Sequence, residues 1–493
     1  MKRVLVVVLS VCTLMLSQTL TGQDAKTVVA TASKTMGVDG LNSIHFYGVA
    51  QNGNLGQNNN ANQPWPMANA SDYVRAIDFT QPSSRATWVN YAVPVTGGAA
   101  AQSPGQQLIL PANQTWAQQL EIWITPWGFL KGAAANNATV RAQTLNGKRY
   151  QAVTFNSTMK SPGGQPYRVV GYINSENLVE RVQTWVENPV FGDLLVDSEY
   201  TNYRDGANGL KYPAQIVQVR GGFPTFRAYI LGAHANPANL QALMTPPAPA
   251  AGAAPPPAAP AAAGPTSEKL ADGVFRINGA YNALAVEFAD HILIFEPGPQ
   301  NTAADPEGRS KAIIAEAKKV IPNKPIRYGV ISHHHFDHTG GLSAVVGEGI
   351  TIVTPAVNKA FLMNALSAPR TLFPDSIAKT GKKPVIDGFA GDKKVFQDAM
   401  RTFEVHVIKG LPHADGLVVG YLPKEKLLVY ADMFNLPTAA TGPVPNPPVV
   451  GTGVFLDNIE RLKLDVERIM SVHSLNPDRL TSVADIKASL GRR

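Results

Sequence analysis

The chain of 493 residues contains one cysteine, Cys12, and it lies in the apolar N-terminal segment. A mature chain without that segment has neither disulfide bonds nor thiolate metal ligands. Charged residues make up only 16% of the sequence and hydrophobic residues 44%, which excludes a coiled coil and wholesale disorder. The net charge of +7 is mild and no long run of Lys or Arg occurs, so no nucleic-acid partner is indicated. At roughly 150 residues per domain, the length predicts two to three domains.

The N-terminus has the pattern of a secretory signal peptide. Lys2 and Arg3 precede an apolar stretch, residues 4–16, that is too short to span a bilayer comfortably. We expect residues 1–22 to be a signal peptide, cleaved near residues 18–25, and the mature protein to be periplasmic or secreted. A buried N-terminal strand or helix and a lipoprotein signal ending at Cys12 are the alternatives. No later apolar run is long enough for an integral membrane segment.

A Pro/Ala-rich stretch divides the rest of the chain. Residues 245–265 read TPPAPAAGAAPPPAAPAAAGP, a composition that cannot bury an apolar face and that favours an extended, semi-rigid spacer. We therefore predict a linker at residues 241–266. It separates a domain at residues 24–240 from a second domain at residues 267–493.

The first domain is predicted to be mostly antiparallel β-sheet with a helix at its start, residues 26–36. Its segments alternate polar and apolar residues and are bounded by turn signals such as Asn146-Gly147. The polar residues 51–63 are predicted to form a loop. The six tryptophans of the chain all lie in this domain, and they indicate either core packing or an apolar cleft for a hydrophobic ligand. The histidines there, His45 and His234, stand alone and do not indicate a metal site.

The second domain has a different order of elements. Three consecutive strands are predicted within residues 274–295, after which strands and helices alternate, with helices at residues 306–321 and 355–366. This order favours sheets in the middle and helices outside, that is, a layered α/β domain.

One short segment of this domain carries the functional signal. His333-His334-His335-Phe336-Asp337-His338 directly follows a predicted buried strand, at a position where scaffolds present functional groups. Imidazole nitrogen and carboxylate oxygen are the zinc ligands left when no thiolate is available. His333 and His335 point the same way on an extended backbone, whereas a turn beginning near Phe336 separates Asp337 and His338 from them. The spacing therefore predicts two groups of ligands, which serve two metals.

This segment resembles the H-x-H-x-D-H motif of the metallo-β-lactamase superfamily. Three downstream residues resemble its other ligand positions: His413 in Pro412–Gly416, Asp432 after the apolar residues 427–431, and His473 after a short strand. Glu296 stands where the family has an Asp next to the metal ligands. The resemblance implies an αββα layered fold for residues 267–493. It also implies two Zn²⁺ ions per chain, the first held by His333, His335 and His413, the second by Asp337, His338 and His473, with Asp432 bridging both.

The function implied by this resemblance is that of an exported zinc-dependent hydrolase. A metal-bound hydroxide attacks the carbonyl of an ester, thioester, lactone or lactam, and Asp337 orients the nucleophile and passes a proton to the leaving group. The expected partner is a small-molecule substrate. Zinc β-lactamases commonly have Cys or Ser where this chain has Asp432, so a lactam is the less favoured substrate. Residues 437–453, rich in Pro and small apolar residues, are predicted to lie on the substrate side.

Two other functions stay open at this stage. The β-rich domain could be a periplasmic binding domain for a hydrophobic ligand, with a structural or vestigial metal domain behind it. The same ligand set could also hold iron or manganese and support oxidation chemistry. The sequence does not indicate the oligomeric state.

Overall fold

The computed structural model describes residues 24–92, 101–112, 115–247, 266–436, 450–475 and 477–492. The predicted signal peptide, most of the predicted linker and most of the predicted substrate loop lie outside the described residues. The predicted metal ligands are all among the described residues.

The N-terminal part of the chain is mostly antiparallel β-sheet, as its alternating segments predict. The strands are β1 Ser43–Gly53, β2 Met67–Asp78, β3 Ser83–Ala92, β4 Ala101–Ile109, β5 Thr139–Leu145, β6 Lys148–Lys160, β7 Pro166–Ile173, β8 Val179–Asn188, β9 Gly192–Asp205, β10 Lys211–Arg220 and β11 Phe223–Ala235. They form one 11-stranded sheet in the order β4-β3-β2-β1-β11-β10-β9-β8-β7-β6-β5. Asn146 and Gly147 join β5 to β6 with φ angles of 50° and 79°, the left-handed geometry that a tight hairpin turn requires.

Helices accompany this sheet. They are α1 Ala25–Met36, α2 Trp116–Trp123, α3 Pro126–Ala135 and α4 Leu240–Met244. Side-chain oxygens of Asp24, Thr115 and Thr125 accept hydrogen bonds from the first turns of α1, α2 and α3 and so define where these helices begin. The sequence predicts α1 but not α2 or α3, because short apolar runs suit a buried helix and a buried strand equally well. The apolar faces of α1, α2 and α3 share one core with the sheet.

Two further sheets make up the C-terminal part. The first has seven strands, in the order β12 Thr266–Ala271, β13 Val274–Asn278, β14 Ala283–Glu287, β15 Ile292–Phe295, β16 Ile326–Val330, β17 Thr351–Pro355 and β18 Ile386–Phe389. The second has five, in the order β19 Lys393–Gln397, β20 Thr402–Val407, β21 Val418–Leu422, β22 Leu427–Tyr430 and β23 Arg468–Ser471. The helices are α5 Gly308–Val320, α6 Phe336–Thr339, α7 Leu342–Glu348, α8 Ala356–Ser367, α9 Ser376–Thr380, α10 Val450–Arg461 and α11 Val483–Ser489.

Three apolar cores hold these elements together. Residues of both sheets, including Phe295 and Phe403, form a core between the sheets. The seven-stranded sheet shares a second core with α5, α7 and α8, and the five-stranded sheet shares a third with α10 and α11. Within the part of the chain that the structure describes, no helix is long and apolar enough to cross a membrane.

The N-terminal and C-terminal parts contact each other directly. The β1–β2 loop, residues 54–66, contains Trp65, whose ring packs edge-on against Phe336 with ring centroids 6.0 Å apart. The Phe336 ring also packs edge-on against Phe191 at 5.4 Å. Arg370 is buried, forms an ion pair with Asp375 at 2.7 Å, and donates hydrogen bonds to backbone carbonyls of the turn between β8 and β9. Aromatic packing and buried polar contacts therefore join the two parts beside the histidine-rich segment.

Candidate metal centre

The histidine-rich segment begins at the carboxyl end of β16. The backbone is extended at His335, with φ −59° and ψ 151°, and turns into the short helix α6 at Phe336. This change of direction is the one that the spacing predicts, and it places Asp337 and His338 in a different cluster from His333 and His335, although the ring centroids of His333 and His338 lie 4.3 Å apart. His413 follows β20, Asp432 follows β22 and His473 follows β23, so strand ends of the five-stranded sheet supply the remaining side chains.

His333, His335 and His413 form the first cluster. Each offers one ring nitrogen, and these atoms lie within 4.8 Å of one another. Among the described residues, Nδ1 of His335 is buried without a hydrogen-bond partner, and Nε2 of His333 and Nε2 of His413 are buried with Oδ2 of Asp432 nearby, at 3.1 and 3.4 Å. Burial lowers the pKa of His333 well below its usual value, and burial together with nearby His413 lowers that of His335 to about 3. Burial therefore favours the neutral form of His333 and His335, which is the form of an imidazole that binds metal.

Asp337, His338, Asp432 and His473 form the second cluster, again with ligand atoms within 4.8 Å of one another. Oδ2 of Asp432 lies 2.8 Å from Nε2 of His338, and Oδ1 lies 2.5 Å from Nε2 of His473. The same Oδ2 lies 3.1 Å from Nε2 of His333, which belongs to the first cluster. Asp432 therefore stands between the two clusters and faces both.

The backbone at Asp432 is strained. Its φ is +57°, in the left-handed region that a non-glycine residue adopts at a cost of about 1–3 kcal/mol. Burial raises the pKa of Asp432, but the surrounding imidazoles, beginning with His333 and His338, outweigh burial and lower it. The fold thus maintains a strained, ionised carboxylate among histidines, which is the environment that a bound cation would stabilise.

Glu296 supports His338 from behind. Glu296 follows β15 with φ +65° and is fully buried. Its Oε1 lies 2.8 Å from Nδ1 of His338, and its Oε2 accepts a hydrogen bond from the backbone N–H of Ser332 at 3.2 Å. Burial lowers the pKa of His338, but the charges of Glu296 and the nearby aspartates outweigh burial and raise this pKa well above its usual value. The Nδ1–carboxylate contact leaves Nε2 of His338 facing the cluster, the arrangement seen when a carboxylate orients a metal-binding imidazole.

Three residues near the centre are not predicted by the sequence. Gln57, from the β1–β2 loop, donates a hydrogen bond from Nε2 to Oδ1 of Asp337 at 3.0 Å. The backbone carbonyl of Asn58 lies 3.0 Å from Nε2 of His335. Because this contact occupies Nε2, the Nδ1 atom is the ring nitrogen that His335 offers to the first cluster. The Tyr281 hydroxyl donates to Oδ2 of Asp337 at 3.2 Å. A polar Asn-rich loop carries no periodicity or spacing that would indicate this long-range contact.

The remaining histidines of the C-terminal part lie outside both clusters. The Nε2 atom of His334 lies 2.8 Å from the Asn58 carbonyl, so this ring contacts the β1–β2 loop. His406 contacts Glu404 and His291 contacts Asp290. His334, His406 and His291 therefore have protein partners outside both clusters.

The donor atoms fit divalent cations. The first cluster offers three imidazole nitrogens, and the second offers two imidazoles and two carboxylates. Nitrogen and oxygen donors of this kind suit zinc, and they suit iron and manganese as well. Nδ1 of His335 is the observation that supports the fit, because a buried polar atom without a partner is costly and a bound cation would give this nitrogen one.

The geometry defines a class of protein. It is an α/β domain of two sheets, with two clusters of imidazole and carboxylate side chains after its strands. Residues 277–471 match the family model described as "Metallo-beta-lactamase superfamily". The C-terminal part of the chain therefore belongs to this superfamily, as its motifs predict. No curated protein matches the sequence.

Solved structures similar to the chain include two metallo-beta-lactamases and an oxidoreductase. The enzyme from Pontibacter korlensis is 16% identical, with 46% of this chain and 97% of that chain covered and a TM-score of 0.34. A mono-zinc metallo-beta-lactamase from Pseudomonas aeruginosa is 16% identical, covering 46% and 94%, with a TM-score of 0.33. Rubredoxin oxygen:oxidoreductase from Desulfovibrio gigas is 18% identical, covering 46% and 61%, with a TM-score of 0.33.

Proposed function

We propose that this protein is a metal-dependent hydrolase with two divalent cations, zinc in the first instance, held by the two clusters. The position of Asp432 between the clusters is the observation that carries the proposal. In this proposal His333, His335 and His413 hold one cation, Asp337, His338 and His473 hold the other, and Asp432 contacts both. The domain around them has the αββα layering that its two sheets and three cores support.

The substrate class is a carbonyl compound: an ester, thioester, lactone or lactam. When bound, the cations supply a Lewis acid for the carbonyl oxygen and lower the pKa of water. The residues of the chain hold these ions, exclude bulk water from the buried histidines and move protons. The protein acts outside the cytoplasm, a location supported by the signal-like N-terminal sequence.

Asp337 is the side chain that the chain offers for proton transfer. It is 33% exposed, whereas His338 beside it is fully buried, so the carboxylate is accessible from outside the centre. Gln57 holds one carboxylate oxygen and Tyr281 the other. As water adds to the carbonyl carbon and the bond to the leaving group breaks, Asp337 accepts the proton of the water and passes it to the leaving group.

A metal count combined with a substrate panel tests this function on the full-length chain. We expect two metal ions per chain after loading with Zn²⁺, and hydrolysis of at least one of the four carbonyl classes. Asp337→Asn should lower kcat by about 10²–10⁴-fold, the usual contribution of a positioned acid–base group. Asp465→Asn, which changes a largely exposed aspartate paired with Lys426, is the control and should behave like the wild type.

Three results would contradict the proposal. Two bound zinc ions with no turnover of any class, together with a co-purified hydrophobic ligand, would favour the binding-protein alternative. Bound iron with oxygen consumption would favour redox chemistry. Full activity of Asp337→Asn would remove Asp337 from its proposed role.

A further inference from the structure

A cavity lies in the N-terminal part of the chain. It has a volume of about 210 Å³ and lies between helix α2 and the strands β1, β2, β3, β4, β10 and β11. None of the metal-cluster residues lines it. Its charged lining residues are Arg75, Glu121 and Arg220.

Arg75 is the unusual member of this lining, because it is only 7% exposed and has no carboxylate hydrogen-bonded to it among the described residues. Its guanidinium donates to the Tyr73 hydroxyl at 2.9 Å, to the Ser84 hydroxyl at 3.2 Å and to the Gln107 side-chain oxygen at 2.7 Å. All three acceptors are neutral. A guanidinium carries five N–H groups in a planar fork, so two remain for another acceptor. Buried arginine is rare unless paired, and the carboxylate that acts on this one, Glu121, is shared with Arg220.

Glu121 is the single carboxylate of the lining, and it acts on both guanidinium groups. Arg220 forms an ion pair with Glu121 at 3.0 Å, and Gln218 donates to the same carboxylate oxygen at 3.3 Å. The cavity therefore has two guanidinium groups against one carboxylate, an excess of one positive charge. A ligand with a single negative charge would balance it.

One side of the wall is aromatic, and the neutral polar residues Asn52, Gln107, Gln218 and Thr225 also line the cavity. Tyr73 is 2% exposed, and its ring lies 5.4 Å from the ring of Phe226, which also lines the cavity. Trp88 and Leu55 complete the apolar side. Such a wall gains free energy by removing apolar ligand surface from water.

We infer that this cavity binds a small organic acid, with its carboxylate on Arg75 and its apolar body against Tyr73, Trp88 and Phe226. Carboxylate and guanidinium form charge-assisted, often bidentate hydrogen bonds, which suit the two remaining N–H groups. The inference does not depend on the proposed hydrolase function.

Two small ligands of the same shape, one charged and one neutral, test whether the cavity binds a carboxylate. The full-length protein is titrated calorimetrically with 3-phenylpropanoate and, separately, with 3-phenylpropanamide, which lacks the charge. Both titrations are made at pH 7.5 and the same ionic strength, and the two dissociation constants are compared. We expect the acid to bind at least about tenfold more tightly than the amide, because a hydrogen bond to a charged group is worth more than a neutral one. Arg75→Gln should remove this preference. Arg141→Gln, a change to an exposed arginine of β5, should keep it.

A carboxylate also binds metal ions, so the titration is repeated after the protein has been treated with a chelator. Binding that persists without metal and fails in Arg75→Gln supports the cavity. Equal affinity for acid and amide, no binding of either, or loss of binding on chelation overturns the inference. If Arg75→Gln does not fold, the acid-to-amide comparison on wild-type protein and on Trp88→Ala, which should weaken both probes, still decides the question.

Discussion

Gln57→Leu tests whether the N-terminal part contributes to the metal centre. The substitution removes the hydrogen bond from Gln57 Nε2 to Oδ1 of Asp337, which spans 280 positions of sequence, and keeps a side chain of similar size. A hydrogen bond to a charged group is worth about 1.5–3 kcal/mol. Because Asp337 is 33% exposed and water replaces part of the interaction, we expect the lower end, about 1.5 kcal/mol. That energy corresponds to a roughly tenfold lower kcat.

The assay is steady-state hydrolysis of the best substrate from the panel, with metal content measured on the same sample. We expect kcat to fall about tenfold, with KM and the two-metal stoichiometry unchanged, because Gln57 positions Asp337 and is not a metal ligand. Gln51→Leu is the matched control, since Gln51 also donates an amide hydrogen bond, to Asn69 at 3.0 Å, on an exposed surface. A variant indistinguishable from wild type would refute the positioning role. Loss of metal would show instead that Gln57 maintains the structure of the centre.

Three further predictions concern stability and are measured by denaturant unfolding of the metal-free protein. Arg370→Met leaves the Asp375 carboxylate buried without its partner and should cost about 3–5 kcal/mol; unchanged unfolding would contradict the buried ion pair. Trp65→Ala removes a ring that is almost fully buried between the two parts of the chain and should cost about 3–5 kcal/mol; a loss below about 1 kcal/mol would contradict that packing. Burial lowers the pKa of His406 despite its hydrogen bond to Glu404, so the unfolded chain takes up more protons as the pH falls below 6.5 and stability decreases. His406→Gln should lose less stability than the wild type over this range, and equal losses would contradict the shift.

Local signals in the sequence predict which side chains come together in the two clusters. Each candidate ligand lies in a segment that follows a strand, and a strand end can be predicted from an apolar run and the turn that follows it. The alternation of His333 and His335 and the turn at Phe336 are also local, since both depend on neighbouring backbone geometry. The Asn146-Gly147 hairpin is predictable for the same reason, because few residues other than Asn and Gly readily adopt positive φ.

The contribution of the β1–β2 loop could not be predicted from the sequence. Gln57 and Asn58 reach the centre because Trp65 and Arg370 help to hold the two parts together, and such packing depends on shapes that no short segment encodes. The cavity beside Arg75 is another example. Its wall combines residues from several strands and α2, and burial of Arg75 appears only once the sheet is assembled.

Anomalous X-ray diffraction from crystals of the zinc-loaded protein tests the two-metal centre most directly. We predict two peaks. The first should lie about 2.0–2.1 Å from one nitrogen each of His333, His335 and His413, the second should contact Asp337, His338 and His473, and Asp432 should contact both. A single peak, or peaks away from these side chains, would contradict the dinuclear centre and with it the proposed hydrolase.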